Sequence, residues 1–339
     1  MTRLLHASFA FLSLTAFAVA QTPSTTNAPT LTAPPTRPAA KASRAAGAGP
    51  APTVADVAYG TDSERQKLDF WKAESDTPTP VVVMIHGGGW MNGDKSNYRK
   101  AVTPYLEQGI SVAAVNYRFI AQAMEQHVEP PVKAPLYDAA RALQTLRSKK
   151  DEWNIDPRRI GATGSSAGAC TSLWLALHDD LADPNSEDPV ARESSRLTCA
   201  AVAGAQTSLD PTQLREWIPN AIYGGHAFGF AEKGRNRAAE FELLMKNRES
   251  VLPWIQEYSP IELVSSDDPP IYLDYPNQKS EPKLGQQEKD PTHSAVYGVK
   301  LKEALDEAGV EAVLSYPGDT DETYGSIAGF LTAKLKEQP

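Results

Sequence analysis

Short continuous apolar runs alternate with longer amphipathic stretches along most of this chain. Val81 to Ile85 is apolar at every position, as a strand covered on both faces must be. Ser111 to Tyr117, Arg159 to Thr163, Leu197 to Ala203, Ile271 to Tyr275 and Val310 to Tyr316 continue the series, and Lys67 to Trp71 reads as an early edge strand. Tyr98 to Gln108 predicts a helix in spite of Pro104, ending at Gly109. Pro135 to Lys149 predicts another, with Leu136, Ala139, Leu143 and Leu146 on one face, and Ala295 to Ala308 and Gly325 to Lys336 two more. Strands separated by helices predict an α/β fold with a doubly wound, mostly parallel sheet. The stretch from about 210 to 260 breaks the rhythm, carrying Trp217, Tyr223, Phe228, Phe230 and Trp254 without a clear strand. Either it is an inserted cap whose aromatics roof a pocket, or those aromatics fill a local core.

The N-terminus does not belong to this pattern. Arg3, the apolar run Phe9 to Ala20 and the small-residue triplet Ala18-Val19-Ala20 predict a cleavable secretory signal over residues 1–20, hence a secreted or periplasmic protein. That run is too short to span a membrane. Residues 21–52 are rich in Pro, Thr and Ala and contain no acidic residue, which predicts an extended linker. One α/β domain is then expected over residues 53–339, with the cap at about 210–260. Without the cations Arg3, Arg37, Lys41 and Arg44, the net charge moves from −9 to −13. So acidic a body argues against nucleic-acid partners and against electrostatic binding to anionic membranes. Cys170 and Cys199 can be paired or stay as two buried thiols, since export permits a disulfide but the expected strand and helix set them at different heights.

Two glycine motifs carry the chemistry. His86-Gly87-Gly88-Gly89-Trp90 ends the strand Val81 to Ile85, and Gly164-Ser165-Ser166-Ala167-Gly168 stands between a strand and a helix-like run. The second is the strand–turn–helix context of a G-x-S-x-G nucleophile elbow, with Gly164 and Gly168 where bulkier residues would clash. The first supplies glycine N–H groups for an oxyanion hole, and the pair predicts a serine esterase.

From about residue 79 onward the chain resembles the α/β-hydrolases, and among them the hormone-sensitive-lipase-like esterases and related bacterial carbohydrate esterases. The residues carrying the resemblance are His86 to Trp90, Val115-Asn116-Tyr117-Arg118, Asp138 to Arg141, Ile155 to Ile160, the elbow, and Tyr316-Pro317-Gly318. The resemblance implies that Ser166 is the nucleophile and that the N–H groups of Ala167, Gly88 and Gly89 hold the oxyanion, while His86 supports the glycine loop. It implies an acid after the strand Ile271 to Tyr275, where a polar insertion leads to Asp290; Asp274 and Asp210 are alternatives.

The departure is at the base. The family places a histidine just after the last strand, but Tyr316 to Gly325 contains none. Of the six histidines, His293 is the best relocated candidate, with His226 as an alternative from the cap. Two functions follow: a serine carboxylesterase with a displaced base, needing no metal or cofactor, or a catalytically impaired hydrolase fold used for binding. Family analogy suggests a small-molecule or polysaccharide-borne ester as the partner, with acyl or aryl groups. A third reading is calcium binding by His178, Asp179, Asp180, Asp183, Glu187 and Asp188, although no EF-hand spacing is present.

Overall fold

The computed structural model describes residues 49–231 and 236–337; the expected signal and nearly all of the expected linker lie outside the described residues. Eight strands form one sheet: β1 (Val54–Ala58), β2 (Lys67–Trp71), β3 (Thr79–Ile85), β4 (Ser111–Val115), β5 (Ile155–Ser165), β6 (Cys199–Ala203), β7 (Ile271–Asp274) and β8 (Ala312–Ser315). Their order is β1-β2-β4-β3-β5-β6-β7-β8. β2 runs antiparallel to both of its neighbours, and β4 through β8 are parallel.

Every residue of β3 is buried, because helices cover both faces. Its side chains alternate: Val81, Val83 and Ile85 join the core that includes Leu136, Leu143, Leu173 and Trp174. Val82 and Met84 join the opposite core with Phe330, Leu331 and Leu335. The cysteines follow the same division. Cys170 and Cys199 are free, buried and in different cores, so they are two thiols. Burial pushes the Cys199 thiol up to about 12 and Cys170 higher still.

The structure departs from the sequence expectation in three places. Lys67–Trp71 is not the sheet edge, since β1 pairs outside it. The expected helix over Tyr98 to Gln108 is only one turn, Thr103–Leu106, bounded by Pro104 at its start and Gly109 in a left-handed conformation after it. The stretch 210–260 holds the helices Pro211–Trp217, Arg237–Lys246 and Arg248–Tyr258. Of its aromatics, Trp217, Tyr223 and Phe228 are buried in the main core, and Phe228 and Trp254 line a cavity with Met124 and His127, apart from the one lined by Ser166.

Candidate active site

The site follows from the strand order. The chain leaves β3 for β4 on one side, then crosses to β5 on the other. The loops after β3 and β5 therefore diverge at the carboxyl ends of adjacent strands, where open α/β sheets leave a crevice. Ile85 pairs with Gly164, so the glycine loop and the elbow start at the same height.

Ser166 is held at φ 52° and ψ −123°, between β5 and the helix Ala167–Leu177. An L-residue there stores about 1–3 kcal/mol. Its N–H donates to the Ala203 carbonyl at 3.0 Å. The flanking glycines are required by contact rather than by torsion. A Cβ on Gly168 would lie 2.0 Å from the Ile85 carbonyl oxygen, and one on Gly164 would lie 2.5 Å from Gly168.

Three side chains form a hydrogen-bonded chain. His293 Nε2 lies 3.0 Å from Ser166 Oγ. His293 Nδ1 lies 2.9 Å from Asp290 Oδ2. The carboxylate can only accept, so Nδ1 carries the proton and Nε2 is free to accept from the serine hydroxyl. Both residues come from the six residues, 290–295, that precede the helix Val296–Ala308. That segment is tied to the sheet end by Gln206, which is fully buried and donates through Nε2 to the Thr292 and Gly204 carbonyls at 2.7 and 3.2 Å. His293 itself packs on Gly204, whose absent Cβ would lie 3.4 Å from the ring. The polar insertion before it folds back on the stretch 210–260: Asn220 exchanges two hydrogen bonds with the Glu288 backbone, and the Gly285 N–H donates to the Trp217 carbonyl. A cavity of about 250 Å³ opens beside the serine, lined by Ser166, Gly204, Tyr275, Pro276, Asn277 and His293.

The glycine loop is braced from behind. The Tyr117 hydroxyl donates to the His86 carbonyl at 2.6 Å, and the Trp90 indole donates to Thr171 Oγ1 at 3.0 Å. Arg65 Nη2 donates to His86 Nε2 at 3.3 Å and to the Gly93 carbonyl at 3.1 Å. The His86 Nδ1–H donates to the Gly87 carbonyl at 2.9 Å. Burial, helped by the Arg65 charge, holds its pKa below the usual histidine value. With both nitrogens engaged, His86 supports the loop and has no proton to exchange at the serine. Among the described residues, the N–H groups of Gly88, Gly89 and Ala167 donate to no protein acceptor. Arg65 was invisible in the sequence, because nothing local links it to a loop 21 residues downstream.

The alternative residues are otherwise engaged. Asp210 caps the helix Pro211–Trp217 and binds Arg248 through both oxygens, at 2.8 and 2.6 Å. Asp274 ends β7 with its carboxyl pKa raised by burial, and no histidine hydrogen-bonds it. His226 is buried against Trp90 and Tyr223 rather than hydrogen-bonded to Ser166. After β8, where the resemblance implied a histidine, Asp321 accepts the N–H groups of Thr323, Tyr324 and Gly325 and shapes the turn. In the acidic stretch, Asp180, Asp183 and Asp188 accept local backbone N–H groups. Among the described residues, no three His, Cys, Asp or Glu side chains are grouped to hold a metal ion.

The BD-FAE family profile matches residues 68–278, more than half of the chain, and ends short of Asp290 and His293. The chain is 24% identical to Esterase LipQ of Mycobacterium tuberculosis over 270 residues, covering 78% of this chain and 55% of that one. It thus spans about half the length of that relative, and about a quarter to a third of other curated relatives. Its fold is like that of an acetyl ester-xyloside bifunctional hydrolase from Caldicellulosiruptor lactoaceticus, with a TM-score of 0.54, 25% identity, and coverage of 74% and 76% of the two chains. A truncated carbohydrate esterase from gut microbiota also shares the fold, with a TM-score of 0.60, 21% identity, and coverage of 84% and 96%. Glycine loop, elbow, sheet order and profile agree, and the chain belongs to the BD-FAE family of hormone-sensitive-lipase-like α/β-hydrolases.

Proposed function

We propose that this protein is a serine carboxyl-ester hydrolase in which Ser166, His293 and Asp290 act as nucleophile, base and orienting acid. The observation that carries this reading is the 3.0 Å contact from His293 Nε2 to Ser166 Oγ, with Asp290 on the other ring nitrogen. His293 takes the hydroxyl proton as Oγ attacks the ester carbonyl. The oxyanion develops against the free N–H groups of Gly88, Gly89 and Ala167, where each such donor is worth about 3–4 kcal/mol in the transition state. His293 then returns the proton to the leaving alcohol, and water releases the acyl group from Ser166 by the same steps. The alternative of an impaired binding protein rests on the missing histidine after β8; the contact from His293, which follows β7, to Ser166 supports the hydrolase reading instead. Hydrolysis of p-nitrophenyl acetate through hexanoate by the full chain, lost in Ser166→Ala, is the test. Equal rates in the two proteins would sink the proposal.

The acid is unusually open: the side chains of Asp290 and His293 are 48% and 31% exposed. Water competes for that carboxylate and screens it. Asp290→Asn is therefore expected to lower kcat by about 10–100-fold, well short of the roughly 10⁴-fold loss known for a buried triad aspartate. A loss of that larger size, measured by steady-state kinetics, would show that Asp290 is shielded in the working enzyme.

Two finer points belong to the proposal. Polysaccharide-borne acyl or aryl esters are the favoured substrates, a reading supported by the fold shared with carbohydrate esterases. Export is proposed from the leader pattern in residues 1–20. Edman sequencing of exported protein should begin at Gln21; a mature N-terminus at Met1 would count against cleavage.

A further inference from the structure

Beside the glycine loop, two polar side chains converge on Gly89. Gly89 has φ +61°, and the space where its side chain would stand is lined by Arg237 Nη2 at 3.4 Å, the Met91 methyl at 3.5 Å and His226 Nε2 at 3.7 Å. His226 is 1% exposed, yet its Nε2 has no hydrogen-bond partner among the described residues. Burying such a nitrogen without a partner is unfavourable, and a ligand acceptor would relieve that cost. Burial, then the charge of Arg237, pushes the His226 pKa down to about 3, against a smaller opposing pull from the Gly89 backbone. The ring is therefore neutral and can present N–H at Nε2. Arg237, in the first turn of the helix Arg237–Lys246, is exposed and lies over the Tyr223 ring with its Cζ 5.6 Å from the centroid. This cation–π contact holds the guanidinium beside Gly89 and does not use its N–H donors.

We infer that Arg237 and His226 form a subsite for a carboxylate carried by the ester substrate close to its scissile bond. This rests on the ester-hydrolase reading above, and it adds the class of substrate. A guanidinium offers two parallel donors that match a carboxylate edge, and the His226 N–H supplies a third from below. The acidic body gives no long-range attraction for an anion, but its field is screened beyond about 8–10 Å in ordinary salt. Selection therefore falls to these local donors, which stand directly against one of the oxyanion glycines. With no side chain at Gly89, no Cβ stands between these donors.

The test compares kcat/KM for two matched ester pairs with the wild-type chain, Arg237→Gln and His226→Gln, counting only the enzyme-dependent rate. Mono-p-nitrophenyl glutarate against p-nitrophenyl valerate places the charge on the acyl side. 3-Acetoxybenzoate against phenyl acetate places it on the alcohol side. The wild-type chain should prefer the charged member of one pair, and that pair identifies which part of the ester faces Arg237. Arg237→Gln should erase the preference by about 10–100-fold while leaving the neutral ester unchanged. Arg237 is exposed, so this variant is expected to fold even if His226→Gln does not. No preference in either pair, or an equal loss on charged and neutral esters in Arg237→Gln, overturns the subsite while Ser166-dependent hydrolysis of neutral esters leaves the ester-hydrolase reading standing. If the wild-type chain hydrolyses neither pair, both readings fall together.

Discussion

His293→Ala is expected to lower kcat on p-nitrophenyl acetate by about 10⁴–10⁶-fold with the fold retained. The size follows from the job lost. Without a base the serine hydroxyl stays protonated and a poor nucleophile, and only the oxyanion donors and binding remain. No other described histidine can take over. His86 has both nitrogens committed to Arg65 and Gly87. His178 is tied to Glu257, and His226 is buried beside Gly89 and kept neutral. His127 lies with Met124, Phe228 and Trp254 around a separate cavity. The fold should survive because the His293 side chain is 31% exposed and its pairing with Asp290 is a partly solvated one, worth about 0–1 kcal/mol. Steady-state kinetics beside circular dichroism separates the two effects. A folded variant within tenfold of wild type would show that the proton goes elsewhere.

Ser166 predicts effects of opposite sign on activity and stability. Ser166→Ala and Ser166→Gly should each lower kcat by about 10⁴–10⁶-fold. Their stabilities should differ. Alanine keeps a Cβ at φ 52°, ψ −123°, whereas glycine occupies that region without steric strain. The glycine variant should therefore be more stable than the alanine variant by about 1 kcal/mol or more, read from urea midpoints at equal slope. Elsewhere in a helix or strand the same change costs about 0.5–1 kcal/mol. An alanine variant equal to or more stable than the glycine variant would mean that the elbow is not strained.

What could be read in advance divides by how local its cause is. The elbow and the glycine loop are short motifs whose glycines answer to contacts inside a few residues, such as the Ile85 carbonyl against Gly168. Fully buried strands such as β3 announce themselves by unbroken apolar runs. β1 escaped notice because it is an edge strand, with only Val54 and Val57 turned inward. The helix Arg237–Lys246 escaped because only Phe241 and Leu244 of its ten residues are buried. His293 and Asp290 could be nominated from their place after β7. Their meeting with Ser166 depends on an insertion folded back by Asn220, 68 residues from Glu288, and on Gln206, 86 residues from Thr292. Nothing within one stretch of sequence encodes such long-range contacts. Arg65 and Arg237 belong to the same class, since each meets the glycine loop only in the folded chain.

Whether His293 activates Ser166 is decided by covalent labelling. The full chain is treated with a p-nitrophenyl alkylphosphonate, released p-nitrophenolate is followed, and the adduct is located by peptide mass mapping. One equivalent should be released, with the phosphonyl group on Ser166 and a labelling rate that collapses in His293→Ala. Labelling at another residue, or at an unchanged rate in His293→Ala, would contradict it.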